Sequence, residues 1–171
     1  MANVFVISDT HFGHANICKF LREDGTKLRP WDDVSEMDKV LIENWNKVVG
    51  INDKVYHLGD VYINRKAQHI LNHLNGDKVL IKGNHDIFSL ENYQPYFRDI
   101  RAYHVLDKMI LSHIPVHESQ LMRFKGNIHG HLHEHRIKDK SGNIDSRYVT
   151  VCVEHIDYTP IELSILQKFF D

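Results

Sequence analysis

Asp9 and His11 follow the apolar run NVFVIS, Asp60 follows DKVYHLG, and Asn84, His85 and Asp86 follow KVLIKG. Farther on, His113 closes MILS, and His131 and His133 follow NIHG. Polar, metal-competent residues thus stand wherever an apolar run stops. Asp9, His11, Asp60, Asn84, His113, His131 and His133 make a donor set of nitrogen and oxygen without thiolate. One divalent ion takes about four to six ligands, solvent included, so seven protein donors suit two ions sharing a carboxylate. Imidazole with carboxylate favours manganese, iron, zinc, nickel or cobalt over calcium or magnesium, and manganese is the first expectation. Two ions about 3.5–4 Å apart form a clamp for in-line displacement at phosphorus, with water activated for attack and the phosphoryl oxygens neutralised. The departing alkoxide still needs a proton. His85 is placed to give it as a general acid, with Asp86 orienting or charging the imidazole.

These residues need elements that bring them together. NVFVIS (3–8), DKVYHLGD (53–60) and KVLIKG (78–83) read as short buried strands. Between them, EMDKVLIENWNKVV has helical spacing, with Ser35 and Asp38 as a capping pair and Gly50 as a stop, and RKAQHILNHL (65–74) reads as a second helix. This alternation predicts an α/β fold with parallel strands at its centre. The second half reads as strands RAYHVL, KMILSH, NIHGHLH and YVTVCVE, with Asp107-Lys108 as a hairpin turn, and IELSILQKFF as a strand-helix mixture. In open α/β sheets ligands bind at the carboxyl ends of strands, so five polar clusters can converge on one crevice. Alternate residues such as Asp9/His11 or His131/His133 would point to opposite faces of an ideal strand, so the chain must bend there, and Gly130 is the expected bend.

Composition excludes several classes. The chain has 171 residues, 42% hydrophobic and 26% charged, with a net charge of -2, and reads as one domain over 1–171 without the basic stripe of a dedicated nucleic-acid binder. No apolar run reaches the roughly 18 residues of a membrane span. The first residues lack a signal-peptide pattern, and Cys18 and Cys152 are too few for a disulfide framework, so a cytoplasmic protein with reduced thiols is expected. Fourteen histidines are the compositional anomaly. Outside the metal set, His129 is expected to pack or face outward, and His57 to lie within its strand.

The motifs DTH, GD, GNHD, SH and GHLH, in this order, resemble the calcineurin-like metallophosphoesterase superfamily, and the resemblance runs from Asp9 to His133. DTHFGHANI with RPW (29–31) is similar to a small prokaryotic and phage-type branch. The resemblance implies a four-layer α/β/β/α sandwich of two mixed sheets with a dinuclear site between sheet edges. It implies Asp9, His11, Asp60 and His133 on the first ion, Asp60 as bridge, and Asn84, His113 and His131 on the second. His85 would be the acid and Asp86 its partner. Family members often carry a phosphate-binding arginine shortly after the bridging Asp; here Arg65 stands five positions on. Arg29, Arg65 and His14 are the expected substrate contacts. The expected activity is hydrolysis of a phosphate ester, with a phosphodiester, nucleotide or short nucleic acid ahead of a phosphomonoester or phosphoprotein. The competing reading is a metal-stabilised binding module, which has no need of a general acid such as His85.

Overall fold

The structure, a computed structural model, describes residues 2–170. Its strands are β1 (Val4–Ile7), β2 (Lys54–His57), β3 (Asp77–Ile81), β4 (Asp99–Arg101), β5 (Tyr103–Leu106), β6 (Met109–Ser112), β7 (Gly126–His129), β8 (Tyr148–Thr150) and β9 (Ile161–Glu162). The helices are α1 (Val34–Val48), α2 (Leu90–Tyr93) and α3 (Leu163–Gln167), with 3-10 segments at Ala15–Lys19, Arg65–His73, Glu118–Arg123 and Val153–His155. Two mixed sheets form. One runs β4-β3-β2-β1-β9, parallel except at β9; the other runs β5-β6-β7-β8, parallel except at β5.

The central strands β1, β2, β3, β6 and β7 are buried on both faces, which is why they read as short apolar runs rather than alternating ones. Val6, Tyr56, Val79 and Ile81 meet Met109, Leu111, Ile128 and Val151 between the sheets. On the outer face of the first sheet, Phe5, Ile7, Val55 and Leu80 pack against Met37, Leu41 and Trp45 of α1 and against Ala67, Ile70 and Leu71. The outer face of the second sheet is covered thinly, by Leu121 and Phe124 over Ile110 and Tyr148. This is the expected four-layer sandwich, with a 3-10 turn as its fourth layer.

Several local expectations change. Asp33, not Ser35, caps α1, accepting from Ser35 N at 3.2 Å. Asp38, expected as the capping partner, accepts the Gly13 N–H with both oxygens at 3.1 Å, tying the loop after β1 to α1. Residues 65–73 form a 3-10 helix rather than an α-helix; the buried pairs Ala67/Ile70 and Leu71/Leu74 recur at the three-residue spacing of that turn. β4 escaped the sequence reading because it is an edge strand of three half-buried residues with one apolar side chain. The Asp107-Lys108 turn forms as expected, both residues at positive φ (48° and 64°), as a two-residue hairpin with primed-turn geometry requires.

Candidate metal centre

The parallel strands β1, β2 and β3 of one sheet and β6 and β7 of the other all end toward the same region. Their exits are laced together by backbone hydrogen bonds, Asp9 N to Gly59 O (3.0 Å), His11 N to Asp60 O (3.1 Å) and Gly130 N to His113 O (3.0 Å). The two sheets touch there directly, since Ser8 N donates to Val151 O at 2.9 Å. Asp9 (φ 59°), His11 (50°), Asp60 (55°), His131 (72°) and His133 (49°) all lie in the left-handed region. Such residues cost on the order of 1–3 kcal/mol each and persist where the surroundings over-determine them, commonly at functional sites. This turn at each residue, and not Gly130, lets alternate side chains face one site. Gly130 serves close approach instead: a Cβ there would lie 2.8 Å from Ser8 Cβ and closer still to Ser8 Oγ and Asp9 Oδ2.

Two ligand groups result. Asp9, His11 and His133 form the first, and Asp60, His113 and His131 the second; within each, one ligand atom per residue lies within 4.8 Å of the others. In the first, Asp9 Oδ2 accepts from Ser8 Oγ (2.5 Å), His131 N (2.9 Å) and Cys152 Sγ (3.3 Å). Asp9 Oδ1 has no hydrogen-bond partner and stands 3.8 Å from both His11 Nε2 and His133 Nε2. Neither ring nitrogen of the buried His11 is hydrogen-bonded. Buried polar atoms are seldom left unpaired, so this convergence of orphaned lone pairs fits a cation.

In the second group, His113 Nδ1 lies 2.7 Å from Leu58 O and must donate to that carbonyl, which leaves Nε2 bare. Nε2 then lies 2.8 Å from Asn84 Oδ1, 3.2 Å from His131 Nδ1 and 3.4 Å from Asp60 Oδ1. Acceptors crowded this way are satisfied by a positive ion between them. Asp60 joins the groups, its Oδ2 3.6 Å from His11 Nε2 on the other side. The residues present therefore fit two divalent ions with Asp60 between them. Burial pushes the His11 pKa down to about 4, so at neutral pH its nitrogens are free to coordinate. All seven expected ligands are thus brought together.

The remaining site residues divide. His85 is exposed, and its ring stands edge-on to His11 at 5.6 Å between centroids; among the described residues the ring makes no hydrogen bond. His14, half-buried with an unpaired Nδ1, has its ring 5.5 Å from that of His11. Asp86 does not orient His85. It is fully buried and accepts the backbone N–H groups of Asp60 (2.9 Å), Val61 (2.9 Å) and Gly83 (2.8 Å). Its carboxylate therefore clasps the exits of β2 and β3, because three convergent donors outcompete an exposed ring. Asp86→Asn loses one acceptor oxygen and should cost about 1–3 kcal/mol, visible in thermal unfolding, with equal losses on substrates of every leaving group.

Arg29 is no phosphate contact. Its side chain is 0% exposed, donating from Nε to Glu154 Oε1 (2.9 Å), from Nη1 to Thr10 O (2.8 Å) and from Nη2 to Asp9 O (2.5 Å). Arg65 packs its guanidinium over the Phe88 ring at 5.2 Å, and no contact joins it to either ligand group. Glu154, absent from the sequence reading, also takes His133 Nδ1 at 3.0 Å, which turns His133 Nε2 toward Asp9. Burial raises the Glu154 carboxyl, but Arg29 and His133 overcome this and hold it at about 2. The strand-end rule that found the other carboxylates would have found this one, since Glu154 closes the run YVTVCVE. His57 is likewise buried behind the centre, its Nε2 3.0 Å from Thr10 Oγ1, and His129 packs inward with Nδ1 2.8 Å from Gly130 O. Glu154→Gln should weaken metal affinity about 10–100-fold, and Arg29→Ala should cost about 3–5 kcal/mol by leaving the buried Glu154 without its permanent cation, with only His133 as partner. Metal titration and thermal unfolding of the two variants check this.

No helix among the described residues is long and apolar enough to cross a membrane. No family model matches the chain. A solved protein of unknown function from Aquifex aeolicus, AQ665, superposes with a TM-score of 0.72 at 25% identity, over 98% of this chain and 99% of that one. The Gene 66 protein of Mycobacterium phage D29 is 30% identical over 95% of this chain and 94% of its own length. Uncharacterized protein MJ1445 of Methanocaldococcus jannaschii is 39% identical over 177 aligned positions, 100% of this chain and 93% of its own. With likeness of that extent along essentially all of both sequences, the chain belongs to the family of MJ1445 and the phage Gene 66 protein.

Proposed function

We propose that this protein hydrolyses phosphate esters at a two-metal centre, with phosphodiesters of the nucleotide type as the favoured substrates. The observation that carries the reading is the Asp60 carboxylate, whose Oδ2 faces the unpartnered Nε2 of His11 in the first ligand group and whose Oδ1 faces His113 Nε2 in the second. The resemblance of DTH, GD, GNHD, SH and GHLH to the calcineurin-like metallophosphoesterases supports it, as does the two-sheet sandwich. Asp9, His11, Asp60 and His133 would hold one divalent transition-metal ion, and Asp60, Asn84, His113 and His131 the other. Bound there, manganese or a similar ion supplies an activated water and neutralises phosphoryl charge. The chain's own residues do the rest. His85, exposed and with a ring that makes no hydrogen bond among the described residues, carries a ring proton to the leaving oxygen. His14, on the same side of His11, shapes the space that the leaving group enters. Arg29 and Glu154 fix the loop and the imidazole that the first group depends on.

The exposed His85 imidazole also weighs against the binding-module reading, since among the described residues its ring makes no hydrogen bond and only stands edge-on to His11. The test is a screen of chelated and manganese-loaded protein on bis(4-nitrophenyl) phosphate, 4-nitrophenyl phosphate, cyclic nucleotides and short RNA. Turnover of the diester that chelation abolishes is expected. Full metal loading without turnover of any ester would favour the binding module.

A further inference from the structure

A cleft of about 760 Å³ opens beside the second ligand group, and Asn84 and His113 form part of its wall. Its volume falls within the few hundred to 1,000 Å³ typical of small-molecule sites. Apart from those two ligands, Tyr103, Ile114 and Phe124 give it apolar and aromatic surface, and Lys82 adds a cation. Tyr103 is 61% exposed and Ile114 54% exposed, although both are large apolar-bodied side chains that the core could have taken.

The cleft adjoins the second ligand group, whereas the His85 ring adjoins the first. Asn84 Oδ1 is turned to His113 and His131 of the second group, whereas the neighbouring His85 ring is turned to His11 of the first. A phosphorus atom held between the groups would direct its leaving oxygen to the proton donor at the His85 end. Whatever occupies the cleft is then a second substituent, which stays on phosphorus. A monoester has only one organic group, and it would be at His85. We propose that the cleft binds the retained substituent of a phosphodiester, and that this substituent carries a flat aromatic ring of the nucleobase kind. Aromatic faces stack any base, and the Lys82 ammonium and Asn84 amide offer donors to ring-edge acceptors. This assignment rests on the phosphoesterase reading and names the substrate class of that site.

The test keeps the leaving group constant and varies what is retained. Thymidine 5′-(4-nitrophenyl phosphate) should exceed methyl 4-nitrophenyl phosphate in kcat/KM by about tenfold or more, mostly through KM, as one stacked base warrants. In the double variant Tyr103→Ala/Phe124→Ala that ratio should fall toward one. Because these side chains also support local packing, Ile114→Asp at the rim serves as a second variant, expected to lower the same ratio. A hexyl ester that matches the thymidine ester would overturn the aromatic assignment. Binding gives a readout that needs no turnover: in equilibrium dialysis, manganese-loaded protein should bind thymidine 5′-phosphate about tenfold tighter than methyl phosphate. Cleavage of the methyl ester with no thymidine preference in either assay would overturn the cleft assignment and leave the phosphoesterase reading standing. Preferential binding that the variants abolish, without cleavage of any ester, would do the reverse.

Discussion

Asp60→Asn is expected to strip the centre of one ion, or both, and to lower turnover by roughly 10³-fold or more. The size follows from what the carboxylate does. Its Oδ2 faces His11 and its Oδ1 faces His113, so the carboxylate stands between the two groups. The amide keeps the shape but loses the charge and turns one coordinating edge into a donor. Metal ions at such sites contribute several kcal/mol of transition-state charge stabilisation, and each 1.36 kcal/mol is a factor of ten in rate. The variant should still fold, since Asp86 clasps the exits of β2 and β3 and an amide oxygen at position 60 can still accept the His85 N–H that Asp60 Oδ1 takes at 2.8 Å. Elemental analysis beside kinetics and circular dichroism checks the claim. His113→Asn or His133→Asn should each do less, because each serves one group. Full metal retention with normal turnover in Asp60→Asn would remove the bridge from the account.

His85→Gln has an expected effect that depends on the substrate. General acid catalysis contributes about 10²–10⁴-fold where the leaving group needs a proton. A nitrophenolate leaves without much help, whereas a ribose or alkyl alkoxide does not. The variant should therefore retain both ions, lose little on nitrophenyl esters and lose most of its turnover on alkyl esters. The exposed ring, without hydrogen bonds to the fold, makes this substitution structurally mild. Equal losses on both substrate types with the metals kept would move His85 to the phosphoryl oxygens or to the attacking water. Loss of metal would make it a ligand.

The sequence made legible what strands and their ends encode. Runs such as NVFVIS and KVLIKG are apolar because both sheet faces are covered, and the polar residues that end them lie at the strands' carboxyl edge, where the structure gathers them. What it could not show is which hydrogen bonds a buried charged side chain would take. Arg29 looked like a phosphate ligand because it flanks motif residues, yet folding buries it against Glu154 and the Asp9–Thr10 backbone. Asp86 looked like the partner of His85 by adjacency, yet adjacent residues in a turn point apart, and three backbone donors claim it. The bend that lets Asp9 and His11 face one site was anticipated, but its means was not. Left-handed φ at residues other than glycine is uncommon and imposed by tertiary contacts; Asp and His adopt it more readily than most, but their type alone does not mark which of them will.

Two ions are expected to share the Asp60 carboxylate. Titration of chelated protein with manganese, followed by electron paramagnetic resonance, measures stoichiometry and coupling together. Two ions per chain are expected, with a spin-coupled spectrum that Asp60→Asn abolishes. Saturation at one ion per chain, or two ions with uncoupled spectra, would contradict this.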